Sequence, residues 1–286
     1  MEPKALLAGL VTILFWASAF AGIRAGLAGY GPGHLTLLRF LVASSALLLY
    51  ARLARIPPPR REDLPRLFLL GVLGITFYHT ALNFGERTVS AGAASLLIAS
   101  GPVFTALLSR FLLGERLSLW GWAGIGLAFL GAALIAFGEG GGVRLEPGAV
   151  LILGAALSTS FYFVLQKPLF ARYSAREMTV YTLVLGTLPL LVFAPGLLEA
   201  VRKAPLGATL SVIYLGLFPG ALAYLTWTYA LSRTPASRLS SLLYLSPVLA
   251  ILIGYLWLGE APSFLALWGG GLALLGVGVV NARGRA

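Results

Sequence analysis

The chain has 286 residues, of which 58% are hydrophobic and only 11% charged, with a formal net charge of +11. Soluble domains carry about 25% charged residues, so this chain has too little polar surface for water and is predicted to lie in a membrane. It has no cysteine and two histidines, which excludes disulfides, thiol catalysis and metal sites built on either residue. Most of its basic residues lie in short loops between apolar runs and without basic-aromatic clusters, so nucleic acid is not expected as a partner. No cofactor is predicted.

Ten apolar runs follow one another along the chain, each near the length that crosses a bilayer as a helix. Their continuous hydrophobicity predicts helices and argues against strands. The first run carries Ala-Ser-Ala at 17–19, which resembles a signal-peptide cleavage site, but its counterpart at 157–166 lies inside the chain and favours a spanning helix. The predicted spans are 5–22, 33–50, 67–84, 89–113, 117–137, 149–170, 178–198, 206–231, 237–258 and 264–280.

An internal repeat with an offset of 145 residues relates the two halves of the sequence. The stretch 95–118 matches 240–263 without a gap, and Pro102 is matched by Pro247. A glycine-rich stretch at 138–148 separates the halves. Glycines recur with the same spacing in the fifth and tenth runs, which predicts close helix packing there. A fixed offset of this length is the signature of a repeated structural unit.

The predicted fold class is an all-α polytopic membrane protein with ten transmembrane helices arranged as two inverted five-helix repeats, residues 1–142 and 143–286. The inversion follows because each half has an odd number of spans, so the second half enters the membrane from the opposite side. Fifteen of the 21 basic residues fall on the side that holds both termini, and five fall on the other side. The positive-inside rule therefore predicts that both termini are cytoplasmic.

Short motifs occur in a fixed order along the chain. They are Phe-Trp-Ala-Ser-Ala-Phe at 15–20, Leu-Arg-Phe at 38–40, Ser-Gly-Pro and Leu-Ser-Pro ending at Pro102 and Pro247, and Leu-Gly-Glu ending at Glu115 and Glu260. Together with the glycine-rich fifth and tenth helices, this pattern resembles the drug/metabolite transporter superfamily in its ten-helix EamA-type branch. The resemblance implies an inner-membrane carrier of small organic solutes. It also implies alternating access around a central cavity formed by the first four helices of each half.

Arg39 is the sharpest signal for a site. It lies roughly six residues inside the second predicted span, where a charge costs several kcal/mol unless it is paired or faces water. No Asp or Glu is predicted at a comparable depth. One interpretation is an anchor for an anionic group such as a carboxylate. The other is a structural arginine that bonds helix-end carbonyls or reaches the interface along its aliphatic stem.

Other candidates are polar, aromatic or proline residues within spans. Pro102 and Pro247 fall near the middle of their spans and remove a backbone donor, which predicts either a hinge beside the cavity or a static kink. His79 and Tyr224 occupy equivalent repeat positions. For the aromatic residues, packing is the alternative to lining a cavity. The predicted substrate-binding residues are Trp16, Arg39, Tyr78, His79, Asn83, Pro102, Tyr162, Gln166, Tyr224, Trp227, Tyr244 and Pro247.

Glu115 and Glu260 end the fourth and ninth predicted spans. A carboxylate is electrostatically unfavourable at a helix C-terminus, so these residues are predicted to pair with Arg116 or with the preceding loops. No catalytic or metal-binding residues are predicted.

The predicted function is a secondary transporter that moves small organic solutes, such as amino acids, related metabolites or drugs, across the inner membrane in the export direction. A passive facilitator or channel is one alternative, because no carboxylate is predicted at mid-membrane. An intramembrane enzyme is the other, although no acid/base pair is present at depth. The expected partners are a small-molecule solute and the lipid bilayer. The sequence does not decide whether the proton is the coupling ion. A monomer is compatible with the predicted arrangement of ten helices.

Overall fold

The computed structural model describes residues 1–88, 97–138, 147–246, 248, 249, 253 and 264–283. Within those residues the chain is almost entirely helical and forms no strand. Six of the described helices are long and apolar enough to cross a membrane, and shorter apolar helices accompany them. The predicted fold class of an all-α polytopic membrane protein is therefore confirmed. Parts of the predicted fourth and ninth spans lie outside the described residues.

The first half of the chain contains six described helices. They are α1 (Pro3–Leu27), α2 (Pro32–Leu53), α3 (Leu64–Gly71), α4 (Tyr78–Gly85), α5 (Gly101–Leu113) and α6 (Leu119–Gly138). Helices α3 and α4 belong to one span, Arg61–Gly85, and are joined by the π-helical segment Val72–Phe77. Helix α5 follows a turn at residues 99 and 100 and carries Pro102 in its first turn. The proline thus lies at the start of a helix and does not kink a continuous one. Proline is tolerated there because the N–H groups of the first turn have no acceptor within the helix.

The second half contains seven described helices. They are α7 (Pro147–Leu165), α8 (Ala175–Thr187), α9 (Leu197–Lys203), α10 (Leu206–Leu215), α11 (Ala223–Arg233), α12 (Ala236–Ser240) and α13 (Phe264–Arg283). The π-helical segment Gly216–Leu222 joins α10 and α11 into one span. The predicted span 178–198 corresponds to the apolar span Ala175–Phe193, in which α8 is followed by the 3-10 turn Pro189–Phe193.

The two π-helical segments lie at equivalent places in the repeat. Val72–Phe77 and Gly216–Leu222 overlap when the 145-residue offset is applied. Pro219 lies inside the second segment and explains its irregularity, because proline cannot donate the helical hydrogen bond. Such segments widen a helix for one turn and occur frequently at functional sites.

A glycine lies at the start of each π-helical segment at the same repeat position: Gly71 directly precedes the first segment, and Gly216 is the first residue of the second. A Cβ atom on Gly71 would lie 2.5 Å from the carbonyl oxygen of Thr182, and one on Gly216 would lie 2.6 Å from that of Arg39. Only glycine leaves room for backbones that approach so closely. Gly216 therefore sets how near the α10–α11 span comes to α2 and to Arg39.

Helices α6 and α13 pack against each other through glycines, as predicted. A Cβ atom on Gly124 would lie 2.8 Å from the carbonyl oxygen of Gly276, and one on Gly131 would lie 2.6 Å from that of Gly269. The contact is reciprocal, because Gly124 corresponds to Gly269 and Gly131 to Gly276 at the 145-residue offset. These glycines act in packing, and none of them lines the cavity described next.

Candidate solute-binding cavity

Residues from both halves of the sequence line one cavity. Five of the twelve predicted site residues lie in its wall: Trp16, Arg39, Tyr78, His79 and Tyr224. The rest of the wall is largely apolar and includes Phe20, Ile23, Leu82 and Phe163. Ligand pockets commonly combine such an apolar wall with a few polar groups that orient the ligand.

The cavity wall contains three pairs of residues at equivalent repeat positions. His79 is matched by Tyr224, Ile98 by Leu243 and Gly101 by Ser246. The two halves thus face the cavity with the same stretches of chain. The side chains differ within each pair, so a ligand in the cavity meets different chemistry on its two sides.

Arg39 is the cation of the cavity. Only 2% of its surface is exposed, and Cζ lies 5.2 Å from the ring centre of Phe40. Its Nε and Nη1 atoms are buried and have no hydrogen-bond partner among the described residues. A guanidinium presents its donors in a planar fork that fits a carboxylate. This side chain can therefore receive an anionic group that enters the cavity.

Glu86 is a residue that sequence reasoning missed. It directly follows α4, yet its Oε1 atom is buried without a hydrogen-bond partner in the described part of the chain, and its charge interacts with those of Arg39 and Arg24. Burial raises the pKa of Glu86 to about 7, although the two arginines act in the opposite direction. The prediction that no Asp or Glu lies at a depth comparable to that of Arg39 did not anticipate this electrostatic interaction. Helical side chains lean towards the N-terminus, so the side chain of a residue just past a span can reach back into it. The position of Glu86 directly after a span was therefore the sequence signal for its burial.

His79 and Tyr224 contact each other directly. Their Nε2 and Oη atoms are 2.9 Å apart, and Tyr224 Oη also donates to the carbonyl oxygen of Gly74 at 3.1 Å. The Tyr224 ring packs against Trp16, with ring centres 5.4 Å apart, and Trp16 Nε1 donates to the carbonyl oxygen of Pro219 at 3.1 Å. Polar atoms of the cavity wall are thus bonded to both π-helical segments.

Seven predicted site residues are absent from the cavity wall. Asn83 is buried and donates to Thr36 Oγ1 at 2.6 Å, which supports a packing role. Trp227 packs behind Trp16, with ring centres 5.1 Å apart. Pro102 is buried in the first turn of α5, and Pro247 lies outside the described residues. The other three are fully buried: Tyr162, Gln166 and Tyr244.

Glu115 connects the two halves at the far end of α5 from the cavity. Its carboxylate accepts hydrogen bonds from Ala236 N at 2.9 Å, from Ser237 N at 3.2 Å and from Ser237 Oγ at 2.8 Å. The prediction that it pairs with Arg116 or a preceding loop was wrong, because the free N–H groups at the start of α12 bind a carboxylate favourably. Its repeat partner Glu260 lies outside the described residues.

The sequence matches the EamA-like transporter family over residues 3–137 and again over residues 146–282. YdfC of Bacillus subtilis, named an uncharacterized transporter, is 47% identical over 92% of this chain and 86% of its own length. A protein of Streptantibioticus cattleyicolor, named "Probable terminal-alkyne amino-acid exporter", is 43% identical over 98% of this chain and 94% of its own length. Both relatives are similar along almost the whole chain.

YedA of Escherichia coli K12, named an uncharacterized inner membrane transporter, is 28% identical over 87% of this chain and 81% of its own length. One solved crystal structure has a TM-score of 0.79 at 24% identity and covers 98% of this chain and 97% of its own, which shows a shared fold. The apolar helices and these relatives identify a multi-pass membrane protein that transports small solutes. The chain belongs to the EamA-like transporter family.

Proposed function

We propose that this protein is a secondary transporter that exports small organic solutes bearing a carboxylate, amino acids among them, by alternating access. The observation that carries the proposal is the buried guanidinium of Arg39. This residue belongs to the cavity wall, and its buried Nε and Nη1 atoms lack a hydrogen-bond partner among the described residues. The similarity to a relative named "Probable terminal-alkyne amino-acid exporter" supports a small organic solute, and the proposed direction follows that name.

The alternative role for Arg39 as a structural residue needs partners inside the protein. No carbonyl oxygen of the described residues accepts from its Nε or Nη1 atoms, and 98% of its surface is removed from water. A buried polar group without a partner costs about 1–3 kcal/mol, and more when it is charged. A carboxylate that pairs with both donors would offset this cost, so the site favours an anionic group over a neutral one.

Alternating access is supported by the repeat, because residues at equivalent positions of the two halves line the same cavity. We propose that residues 1–142 and 143–286 are the two inverted repeats, with both termini in the cytoplasm and the protein in the inner membrane. The basic loops then place Glu115 at the cytoplasmic side, where it joins α5 to α12. We propose that this contact between the two halves breaks when the cavity opens to the cytoplasm.

The test is solute exchange by the purified full-length protein in liposomes, with leucine as probe because the cavity wall is largely apolar. We expect saturable exchange that Arg39→Ala abolishes and that Arg202→Ala, an exposed arginine on α9, leaves intact. Flux that never saturates would identify a channel, and consumption of the solute would identify an enzyme. Exchange that is equal in the Arg39→Ala protein and the parent would contradict the proposed role of Arg39.

A further inference from the structure

Resting on the function proposed above, we infer that His79 is the hydrogen-bond acceptor for the amino group of the solute whose carboxylate Arg39 binds. Tyr224 is the positioning residue that holds the imidazole of His79 in the form that accepts at Nδ1. The cavity then selects solutes that carry a carboxylate and an amino group on the same small framework.

The hydrogen bonds of Tyr224 determine which nitrogen of His79 carries the proton. Tyr224 Oη donates its only proton to the carbonyl oxygen of Gly74, at 3.1 Å, because a carbonyl oxygen can only accept. In its 2.9 Å contact with His79 Nε2 the same oxygen must therefore accept. His79 Nε2 is then the donor, and a neutral imidazole that is protonated at Nε2 has a free lone pair at Nδ1.

The neutral form of His79 follows from its surroundings. The imidazole is 95% removed from solvent, and the positive charge of Arg39 acts on it in the same cavity. A second cation there would be desolvated and would face a like charge, and both effects oppose its formation.

His79 Nδ1 is unsatisfied and its ring is held in place. The atom is buried and has no hydrogen-bond partner among the described residues. The ring centre lies 4.5 Å from that of Phe40 and 4.6 Å from that of Tyr78. Packing on two sides, together with the bond to Tyr224, leaves the ring little freedom to turn. The acceptor is thus presented in a fixed direction before any solute arrives.

A cationic donor and a neutral acceptor in one cavity complement an amino acid. Its carboxylate satisfies Arg39, and its ammonium group donates to Nδ1 of His79. An acid without the amino group would bury Nδ1 unpaired, and an amine without the carboxylate would leave Arg39 unpaired. The site therefore discriminates against both, since a site built for a hydrogen bond rejects analogues that cannot make it.

The experiment compares leucine with 4-methylpentanoate, which lacks the amino group, and with isopentylamine, which lacks the carboxylate. Each competes with radiolabelled leucine for the purified full-length protein. We expect leucine to bind about tenfold or more tightly than 4-methylpentanoate, on the scale of one hydrogen bond to a charged group. Isopentylamine should bind more weakly than leucine as well, because it cannot pair with Arg39.

Three substitutions separate the functions of the imidazole. In His79→Gln the amide can still reach Tyr224 but supplies no acceptor at the Nδ1 position, so the preference for leucine over 4-methylpentanoate should disappear. In His79→Asn the side-chain oxygen can stand near the Nδ1 position, so part of the preference should return. Tyr224→Phe removes the hydrogen bond that fixes the tautomer of His79. It should lower the preference for leucine over 4-methylpentanoate, while binding of both still depends on Arg39.

The outcomes distinguish this inference from the function on which it rests. Equal binding of leucine and 4-methylpentanoate by the parent, with both weakened by Arg39→Ala, would overturn the role of His79 and leave the carboxylate site standing. Leucine binding that Arg39→Ala does not weaken would overturn the proposed function. If His79→Gln weakens leucine and 4-methylpentanoate equally and lowers the melting temperature, His79 is structural and the inference is wrong.

Discussion

The carbonyl oxygens of Gly74 and Pro219 lie at equivalent repeat positions, and each accepts a hydrogen bond from an aromatic side chain of the other half. Tyr224 Oη donates to Gly74 and Trp16 Nε1 donates to Pro219, both at 3.1 Å. Both acceptors belong to π-helical segments, where the regular hydrogen-bond ladder is interrupted. The irregular turn of each half is thus tied to a cavity residue of the other half, which couples the cavity wall to any relative movement of the two.

Trp16→Phe should destabilise the protein. The substitution keeps an aromatic ring in the cavity but removes the donor to Pro219, and a carbonyl left without a partner in a buried site costs about 1–3 kcal/mol. Thermal unfolding in detergent should show a lower melting temperature. Trp268→Phe is the matched control, because Trp268 is 61% exposed on α13. Equal shifts for the two variants would contradict a role for the bond to Pro219.

Gly216→Ala should weaken leucine binding and transport. The new Cβ atom would lie 2.6 Å from the carbonyl oxygen of Arg39, so α2 has to move and take Arg39 with it. Overpacking of this kind costs about 1–3 kcal/mol. Gly207→Ala is the control in the same span, because no atom lies within 4 Å of the added Cβ there. Similar binding by the two variants would show that the close approach does not position Arg39.

The sequence predicted the elements of this fold better than their contacts. The repeat offset singled out His79 and Tyr224 as equivalent positions, and their side chains are hydrogen-bonded. It could not give the distance between them, because an offset reports equivalence and not proximity. Pro102 lies in a continuous apolar run, so hydropathy could not separate a kinked helix from the start of a new one. Glu115 was misassigned because its partners, backbone N–H groups of the other half, have no sequence signature.

The predicted topology can be tested with single cysteines, because the chain contains none of its own. Pro58→Cys, in the exposed loop after α2, should react with an impermeant thiol reagent from the cytoplasmic side only. Arg202→Cys, on exposed α9, should react from the opposite side only. If both positions react from one side, the inverted arrangement of the two halves is excluded.

Glu115→Ala should open the cytoplasmic side of the cavity more often. The substitution removes three hydrogen bonds to the start of α12 and no contact within the cavity. With Ala19→Cys as a reporter in the cavity wall, thiol labelling from the cytoplasmic side should become faster. Glu199→Ala is the control, since Glu199 is exposed and pairs only with Lys203 among the described residues. An unchanged labelling rate would mean that this contact does not hold the cavity closed.

Glu86 should make solute binding depend on pH. Its pKa is raised to about 7 by burial, so it takes up a proton as the pH falls through that value. Within about one pH unit of this pKa, the carboxylate of leucine stays negative. Arg39 and Arg24, whose charges act on Glu86, stay positive over the same range. When Glu86 becomes neutral it no longer offsets the charge of Arg39, and leucine should bind more tightly by an amount of order 1 kcal/mol.

The variant Glu86→Gln fixes the neutral form. Its affinity for leucine should match that of the parent below the pKa and should stay constant as the pH rises through it. Glu62→Gln is the control, because the Glu62 side chain is 65% exposed and pairs with Arg60 and Arg172. This variant should keep the pH dependence of the parent. Competition binding of labelled leucine across this pH range measures both. If the affinity of the parent for leucine rises with pH, the expected direction of the pH dependence is wrong. If Glu86→Gln shows the same pH dependence as the parent, a group other than Glu86 causes it.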